Sequence, residues 1–506
     1  MTNHFFALVR ETLPADPSAR ILIETPDGRR CTYADMLART GAYANALTAA
    51  GVKPGDRVAA QVEKSAEIVF LYLAALRAGA VFLPLNTAYT AGEVAYFLDD
   101  AEPALFVCDP AKREALAPVA EKAGTCGVLT LDAAGHGTMA EAADAHGTDF
   151  ADVARTPDDL AAILYTSGTT GRSKGAMLSH DNLASNARTL VDAWRFTPDD
   201  VLIHALPVFH THGLFVAVNT VLASGASMLF LPKLDAGLIL RLMPRASAMM
   251  GVPTFYTRLL KEAGLTEAAT ARMRLFTSGS APLLPETHAA WRARTGHAIL
   301  ERYGMTETNM STSNPYAGER VAGTVGFPLP DVALRVVDPD TGAAVAPEAV
   351  GMIEVKGPNV FKGYWRLPEK TAAEFRPDGF FVTGDLGKVD ARGYLHIVGR
   401  GKDLIITGGF NVYPKEVEAE IDAMPGVVES AVIGLPHADF GEGVTAVVVG
   451  SDDGPDEAGV LAYLAGRLAR FKCPKRVLFA DDLPRNAMGK VQKNVLRETH
   501  AALYRG

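Results

Sequence analysis

A glycine-rich loop near residue 165 is the segment best suited to hold a phosphate. The apolar run 161–165 predicts a strand, and the loop TSGTTG follows it at 166–171, with a lysine and a glycine shortly behind. Small residues let a backbone close around an anion, and their N–H groups and hydroxyls donate to phosphate oxygens. The candidate phosphate ligands are Thr166, Ser167, Gly168, Thr169, Thr170, Gly171 and Lys174.

The Walker A loop is the nearest alternative, and this sequence does not fit it. Walker A requires a lysine directly after its last glycine, then Ser or Thr and an immediate helix. Here Arg172 and Ser173 intervene, and Gly175 stands where Ser or Thr should be. We expect the next helix only after Ser179, which can cap it.

Six further motifs follow the loop in order. They read PVFHTHG at 207–213, TSGSAPL at 277–283, ERYGMTET at 301–308, FVTGDLG at 381–387, GRGKDLIITGGFNVYPKEVE at 399–418 and PRNAMGKVQK at 484–493. This ordered set resembles the acyl-adenylate-forming superfamily, which includes the AMP-forming acyl-CoA synthetases, over nearly the whole chain. Among subfamilies it is most similar to the malonyl-CoA synthetases.

The resemblance implies a two-step ligation. A carboxylate attacks the α-phosphate of ATP and releases pyrophosphate, and the thiol of coenzyme A then displaces AMP. The first step brings anions together, so cations and a metal are needed. Glu307 matches the family's Mg²⁺-binding glutamate, and Thr306 matches a phosphate contact. Read without the family, Thr306 and Glu307 could instead be a helix-capping pair.

The resemblance also implies the nucleotide site. Asp385 matches the aspartate that accepts both ribose hydroxyls, Arg400 a second ribose contact, and Tyr303 the aromatic residue facing adenine. Gly279 and Ala281 match positions where the backbone approaches the nucleotide. The remaining nucleotide-site candidates in these motifs are Ser280, Glu301, Arg302, Gly304 and Met305.

A small C-terminal domain is implied to move between the two steps. Lys490 matches the catalytic lysine of the first step, and its motif resembles the context in which related synthetases are acetylated, so a lysine acetyltransferase and a deacetylase are expected partners. Lys402 matches the hinge. After rotation, Gly408, Gly409 and Phe410 are expected to line the coenzyme A tunnel.

The substrate acid is predicted from one basic side chain. Arg302 stands between Glu301 and Tyr303 on a predicted extended segment, where side chains alternate. If Tyr303 faces adenine, Arg302 points toward the acyl pocket, where a second substrate carboxylate can pair with it. His210, at the position that gates the acyl pocket in the family and assigned here to the catalytic site, and Ser280 are further expected donors, whereas His212 is expected to be structural. Malonate, or methylmalonate, is the predicted acid.

The helices and strands that must position these residues indicate an α/β fold. Helices and short apolar strands alternate up to about residue 330, which indicates two mostly parallel sheets with helices on their faces. A β-rich module follows, and then a small, mobile α+β domain with a predicted helix over 414–422. We expect an N-terminal domain over 1–399 and a C-terminal domain over 400–506. The Ala- and Gly-rich stretch 131–159 is predicted to be a surface excursion.

The amino-acid composition argues against several classes of protein. The 506 residues are 48% hydrophobic and 21% charged, which excludes disorder throughout, and the net charge of −9 disfavours a nucleic-acid or anionic-membrane partner. Four cysteines without metal-ligand spacing argue against a zinc site or a disulfide scaffold. The N-terminus is not a secretory signal, and the uncharged stretch 213–232 is expected to be core rather than a membrane span. A cytoplasmic enzyme with small-molecule substrates is expected.

Three alternatives stay open at this point. The first is a synthetase for another short-chain or aryl acid, and the second is an adenylation module that serves a carrier protein, although no fused carrier domain is expected. The third is a catalytically silent nucleotide-binding regulator, against which the presence of Lys174, Glu307, Asp385 and Lys490 argues.

Overall fold

The structure of this chain is a computed structural model. It describes residues 2–167, 173–280, 283, 285–339, 341–400, 405–412, 414–451, 454–484 and 491–504, with only the backbone given for residues 167, 398–400, 411, 415 and 494.

Helices and strands alternate along most of the described chain. The α-helices are α1 His4–Glu11, α2 Tyr33–Ala49, α3 Ala66–Arg77, α4 Ala91–Ala101, α5 Arg113–Lys122, α6 Thr138–Asp144, α7 His180–Ala193, α8 Asn219–Ser224, α9 Ala236–Leu242, α10 Pro253–Leu259, α11 Glu267–Thr270, α12 Pro285–Thr295, α13 Pro368–Glu374, α14 Pro414–Asp422, α15 Glu457–Ala465 and α16 Lys493–Thr499. Short 3₁₀ turns lie at Pro110–Lys112 and Met243–Arg245, and a π-helix spans His212–Val218.

The strands form four sheets. They are β1 Ile21–Glu24, β2 Arg30–Thr32, β3 Arg57–Gln61, β4 Val81–Pro84, β5 Leu105–Cys108, β6 Gly127–Thr130, β7 Leu160–Ser167, β8 Ser173–Ser179, β9 Val201–His204, β10 Ser227–Phe230, β11 Ala248–Gly251, β12 Leu275–Ser278, β13 Leu300–Met305, β14 Asn309–Ser313, β15 Phe327–Pro328, β16 Ala333–Val337, β17 Gly351–Lys356, β18 Phe381–Val389, β19 Leu395–Arg400, β20 Ile405–Thr407, β21 Phe410–Val412, β22 Val427–His437, β23 Gly441–Gly450 and β24 Arg476–Phe479.

Two of these sheets are mostly parallel, as predicted. The larger has the order β15-β14-β13-β12-β11-β9-β10-β1-β2, and its central pairs from β1 to β13 are parallel. The second has the order β6-β5-β3-β4-β7-β8. Helix α3 is buried along its whole length, as a helix that is apolar on nearly every side must be. The mixed α/β class expected from the sequence is confirmed.

The β-rich module and the C-terminal α+β region also appear as expected. Strands β16 to β19 form an antiparallel sheet, in which β17 pairs with β16 and β18. Strands β20 to β24 form a separate five-stranded sheet, on which α14 packs through Val417 and Ile421. The helix predicted over 414–422 has those bounds.

The chain groups into two compact units. One comprises Met1–Thr87, Ala95–Leu164 and Gly175–Val398, and the other comprises Ala88–Val94, Tyr165–Lys174 and Gly399–Gly506. The two short segments of the second unit were expected to belong to the large domain. The functional division at residues 399 and 400 stays a prediction.

Two stretches were uncertain from the sequence. The prediction of a surface excursion over 131–159 is wrong in part, because α6 lies there and packs on α2 with Met139 and Ala143 fully buried. The uncharged stretch 213–232 contains most of the π-helix, then α8, a left-handed turn at Gly225 and strand β10. Among the described residues, no helix is long and apolar enough to cross a membrane.

Candidate active site

Two neighbouring parallel strands bring Gly279 and Arg302 side by side. Ser278, the last residue of β12, pairs with Glu301 of β13, so Gly279, directly after β12, comes next to Arg302 if the register continues. Residues paired across two strands place their side chains on the same face of a sheet. The prediction that Arg302 lies on an extended segment is confirmed.

The guanidinium of Arg302 is buried, and none of the described ion pairs gives it a counter-charge. Arg302 is 3% exposed, and within the described part of the chain its Nε and Nη2 atoms have no hydrogen-bond partner. Burial lowers the pKa of Arg302 to about 9, while the nearby phenol of Tyr256 acts in the opposite direction. A buried cation is costly unless it is paired and hydrogen-bonded, so this arrangement suits an anionic ligand.

Glu301 does not supply the missing charge. Its Oε1 accepts a hydrogen bond from the backbone N–H of Gly323 over 2.9 Å, and burial raises the pKa of Glu301 to about 8. The carboxyl is therefore mostly protonated at neutral pH. None of the described ion pairs joins Arg302 to Glu301.

His212 begins the π-helix, and His210 lies two residues before it. A π-helical distortion often occurs at functional sites. Burial, with the charge of Arg302, lowers the pKa of His210 to about 4, so its ring is neutral at pH 7. Its Nδ1 accepts the backbone N–H of His212 over 3.2 Å. The ring proton of His210 must then lie on Nε2, which makes Nε2 a hydrogen-bond donor.

Ser280 contacts His212 in this site. The Oγ of Ser280 is 3.4 Å from Nδ1 of His212, and Ser280 has a φ of 66°, a strained value for a residue with a side chain. Burial, then Arg302, lowers the pKa of His212 well below its usual value. Nε2 of His212 is buried with no partner among the described residues, so the prediction that His212 is structural stays untested.

Tyr303 and Asp385 join strand β13 to strand β18. The hydroxyl of Tyr303 donates to Oδ2 of Asp385 over 2.5 Å, and both residues are buried. The hydroxyl of Thr383 receives the backbone N–H of Asp385 over 3.1 Å. The two residues that the family resemblance assigns to adenine and ribose are therefore in direct contact.

Glu307 lies in the turn after β13 and is held by a tyrosine. The hydroxyl of Tyr364 lies 3.1 Å from Oε1 of Glu307 and 2.7 Å from Oε2 of Glu374. Burial and these two carboxylates raise the pKa of Tyr364. No helix begins at Thr306 and Glu307, so the alternative reading as a capping pair is wrong.

A single buried carboxylate fits the way proteins bind Mg²⁺. This ion usually takes one or two carboxylates and completes its shell with substrate phosphates and water. Among the described residues, no group of three or more His, Cys, Asp or Glu side chains could hold a metal by itself. Glu307 thus fits a magnesium ion that arrives with a nucleotide.

Gly304 and Thr306 complete the ERYGMTET segment. A Cβ on Gly304 would overlap the carbonyl oxygen of Asn309, so only glycine fits the tight approach of β13 and β14. The hydroxyl of Thr306 lies 3.4 Å from the hydroxyl of Thr211. Met305 ends β13 and is half-buried.

The predicted phosphate loop is described only at its two ends. Thr166 is half-buried near the end of β7, and Lys174 is 7% exposed near the start of β8. The candidates Gly168, Thr169, Thr170 and Gly171 lie outside the described residues, and of Ser167 only the backbone is described. The helix after the loop is α7, capped by Ser179 as predicted, and β8 lies where a Walker loop would begin its helix.

The C-terminal candidates are described in part. Gly408 and Gly409 form the turn between β20 and β21 with φ values of 57° and 82°, and Phe410 stacks on Phe471 with ring centroids 4.5 Å apart. The predicted positions Ala281, Lys402 and Lys490 lie outside the described residues, as does the side chain of Arg400.

Sequence reasoning missed two tyrosines at this site. Tyr256 lies beside Arg302 and donates to the carbonyl of Thr277 over 2.6 Å, and Tyr364 holds Glu307. Neither belongs to a motif identified from the sequence. Tyr364 lies 57 positions from Glu307 along the chain, so no local spacing could have revealed the contact.

Two family models cover most of the chain. The model for AMP-binding enzymes matches residues 9–365, and the model for the C-terminal domain of AMP-binding enzymes matches residues 416–490.

Similar proteins include several acid–CoA ligases. The ATP-bound crystal structure of MatB from Rhodopseudomonas palustris is 65% identical, with a TM-score of 0.79 and full coverage of both chains. A malonate–CoA ligase from Arabidopsis thaliana is 36% identical over 89% of this chain and 79% of its own. A feruloyl-CoA synthase from an Amycolatopsis species is also 36% identical, over 93% of this chain and 94% of its own.

Proposed function

The chain belongs to the AMP-binding enzyme family and is an AMP-forming CoA ligase, and on that premise we propose that it joins malonate to coenzyme A through a malonyl-AMP intermediate. ATP and coenzyme A are the co-substrates, and AMP and pyrophosphate are released. We propose that the same site would also accept methylmalonate.

The observation that carries this proposal is the buried charge of Arg302, which no ion pair among the described residues compensates. A synthetase for an apolar acid would gain nothing from a guanidinium that is 3% exposed and whose Nε and Nη2 atoms lack partners among the described residues. The second carboxylate of malonate would pair with this fork bidentately and offset the cost of burying the cation. Glu301 does not supply the counter-charge to Arg302, because its carboxyl is mostly protonated at neutral pH.

Two uncharged donors support the same assignment. Nε2 of His210 carries the ring proton, so it can donate to a carboxylate without adding a second full charge beside Arg302. Ser280 adds a hydroxyl donor. The size of the guanidinium is expected to leave room for about one carbon between the two carboxylates, which favours malonate over succinate.

The nucleotide is assigned to the neighbouring residues. Asp385, fixed by Tyr303, would accept the ribose hydroxyls, and the loop from Thr166 to Lys174 would bind the phosphates. Glu307, held by Tyr364, would bind Mg²⁺ together with Thr306 nearby, and the ion would neutralise phosphate charge when bound. The Tyr364 hydroxyl, which also contacts Glu374, would help to orient the Glu307 carboxylate.

We assign the chemical step to Lys490 and the alternation between steps to Lys402. Residues 1–399 and 400–506 would act as two domains, with Lys490 stabilising the charge that develops as the carboxylate attacks. Gly408, Gly409 and Phe410 would line the path of the pantetheine arm in the second step. Acetylation of Lys490 would remove its charge and stop the first step.

Pyrophosphate exchange with a panel of acids tests the substrate. Wild-type protein would be assayed with malonate, methylmalonate, succinate, propionate and ferulate at equal concentration, with and without coenzyme A. The proposal expects malonate to support the fastest exchange and to yield a thioester when coenzyme A is present. A preference for propionate or ferulate would replace it with a ligase for an apolar or aryl acid.

A further inference from the structure

Gly279 adjoins the guanidinium that the proposed function assigns to the second carboxylate. A Cβ built on Gly279 would overlap Nη1 and Cζ of Arg302 and would lie 2.7 Å from its Nε. Among the described residues, and apart from the two chain neighbours of Gly279, these are the three nearest heavy atoms to that position. The guanidinium thus occupies the space that any other residue at 279 would fill with its side chain.

The φ of Gly279 does not by itself require a glycine. The φ of Gly279 lies outside the left-handed region, so an alanine could adopt the same conformation. Gly304 and Gly213 differ, because a Cβ there would overlap the backbone carbonyls of Asn309 and Pro207. At Gly279 the obstacle is the end of a flexible side chain, which can move.

We propose that Gly279 is a specificity-determining positioning residue, which sets the place of the Arg302 guanidinium and thereby selects acids with a second carboxylate. This inference rests on the proposed function. A methyl group at 279 would push the guanidinium aside, and among the described residues no hydrogen bond to Nε or Nη2 would hold it in place. The fold would survive, whereas the geometry of a bidentate pair would be lost.

A competing role follows from the family resemblance, which places Gly279 where the backbone approaches the nucleotide. The two roles differ in what a methyl group would disturb. Loss of nucleotide approach would raise the KM for ATP with every acid. Loss of guanidinium position would raise the KM for malonate and leave the KM for ATP and the use of a monocarboxylate nearly unchanged.

The test compares Gly279→Ala, Arg302→Ala and the double variant, each with malonate and with propionate. For Gly279→Ala we expect kcat/KM to fall about tenfold or more with malonate and less than about threefold with propionate. In the Arg302→Ala background, Gly279→Ala should cost less than about twofold with either acid, because the space for the methyl group is vacant.

Gly434→Ala is the matched control. A Cβ there would lie 2.6 Å from Oε1 of Glu442, again the end of a charged side chain, on a backbone with ordinary φ. This variant should change kcat/KM with malonate and with propionate by the same factor. Should Gly279→Ala fail to fold, the double variant must fold if Arg302 is what the methyl group meets, and failure of both would overturn the inference.

The outcomes separate this inference from the proposed function. Equal losses with both acids that persist in the Arg302→Ala background, or a raised KM for ATP, would overturn the role of Gly279 and leave the malonate proposal standing. A wild-type enzyme that prefers propionate would overturn the malonate proposal itself, whatever coupling the double variant shows.

Discussion

The hydroxyl of Tyr303 donates a hydrogen bond to the Oδ2 of Asp385 over 2.5 Å, in a site where both residues are buried. The contact joins the large, mostly parallel sheet to the β-rich module, since Tyr303 lies on β13 and Asp385 on β18. One carboxylate oxygen is therefore oriented by the protein before any nucleotide binds. A carboxylate fixed in this way suits a pair of ribose hydroxyls.

Tyr303→Phe tests that orientation. The variant keeps the aromatic ring and removes one hydrogen bond to a charged acceptor, which is typically worth about 1.5–3 kcal/mol. We expect the KM for ATP to rise about tenfold or more, with little change in the KM for malonate. Steady-state kinetics with each substrate varied in turn give both values.

Tyr394→Phe is the matched control for that experiment. Tyr394 is also buried, but its hydroxyl donates to the backbone carbonyl of Glu319 over 2.8 Å. This variant should leave the KM for ATP unchanged. An unchanged KM for ATP in Tyr303→Phe as well would show that the contact with Asp385 does not serve the nucleotide.

Glu301 should make the protein less stable as the pH rises. Its pKa is about 8 in the folded chain, against about 4.5 when exposed, so the folded state holds a proton that the unfolded state has released. Stability contributed by this group is complete below about pH 4.5 and is lost between that pH and about 8.

Glu301→Gln removes this dependence. The amide mimics the neutral acid and can still accept the hydrogen bond from Gly323. We expect the variant to gain about 4 kcal/mol relative to wild type at pH 8 and less than about 1 kcal/mol at pH 5. Thermal unfolding of both proteins from pH 5 to pH 8 measures the difference. Parallel Tm curves would mean that Glu301 ionises normally.

The sequence predicted most elements because their local signals are strong. The capped helix after Ser179 and the helix over 414–422 both occur, as do the two parallel sheets and the β-rich module. The helix α6 was missed because it is short, and its burial depends on packing against α2 rather than on a local pattern.

The sequence predicted which residues form the site, but not how these residues are arranged. Motif order could name Arg302 and Glu307, yet it could not show that Glu301 stays protonated or that Tyr364 reaches Glu307. The space beside Gly279 depends on the register of β12 and β13, which no single-strand pattern contains. Contacts between distant segments are set by packing, and a sequence motif carries no distances.

Lys490→Ala should separate the two half-reactions. If Lys490 acts only in adenylation, pyrophosphate exchange should fall by several orders of magnitude, as when a transition-state charge contact is removed, while thioester formation from preformed malonyl-AMP should change little. Single-turnover assays of each half-reaction measure this. Equal loss of both steps would assign Lys490 a role in binding or in structure instead.

The acid preference of Arg302→Ala tests the central claim most directly. The measurement is kcat/KM with malonate and with propionate, for wild type and for the variant. Arg320→Ala serves as a control, because Arg320 donates only to backbone carbonyls among its described hydrogen bonds and should affect both acids alike. We predict that Arg302→Ala loses at least about 2 kcal/mol, roughly thirtyfold, with malonate and much less with propionate. Equal losses with the two acids, or a wild-type enzyme that prefers propionate, would contradict the assignment of malonate.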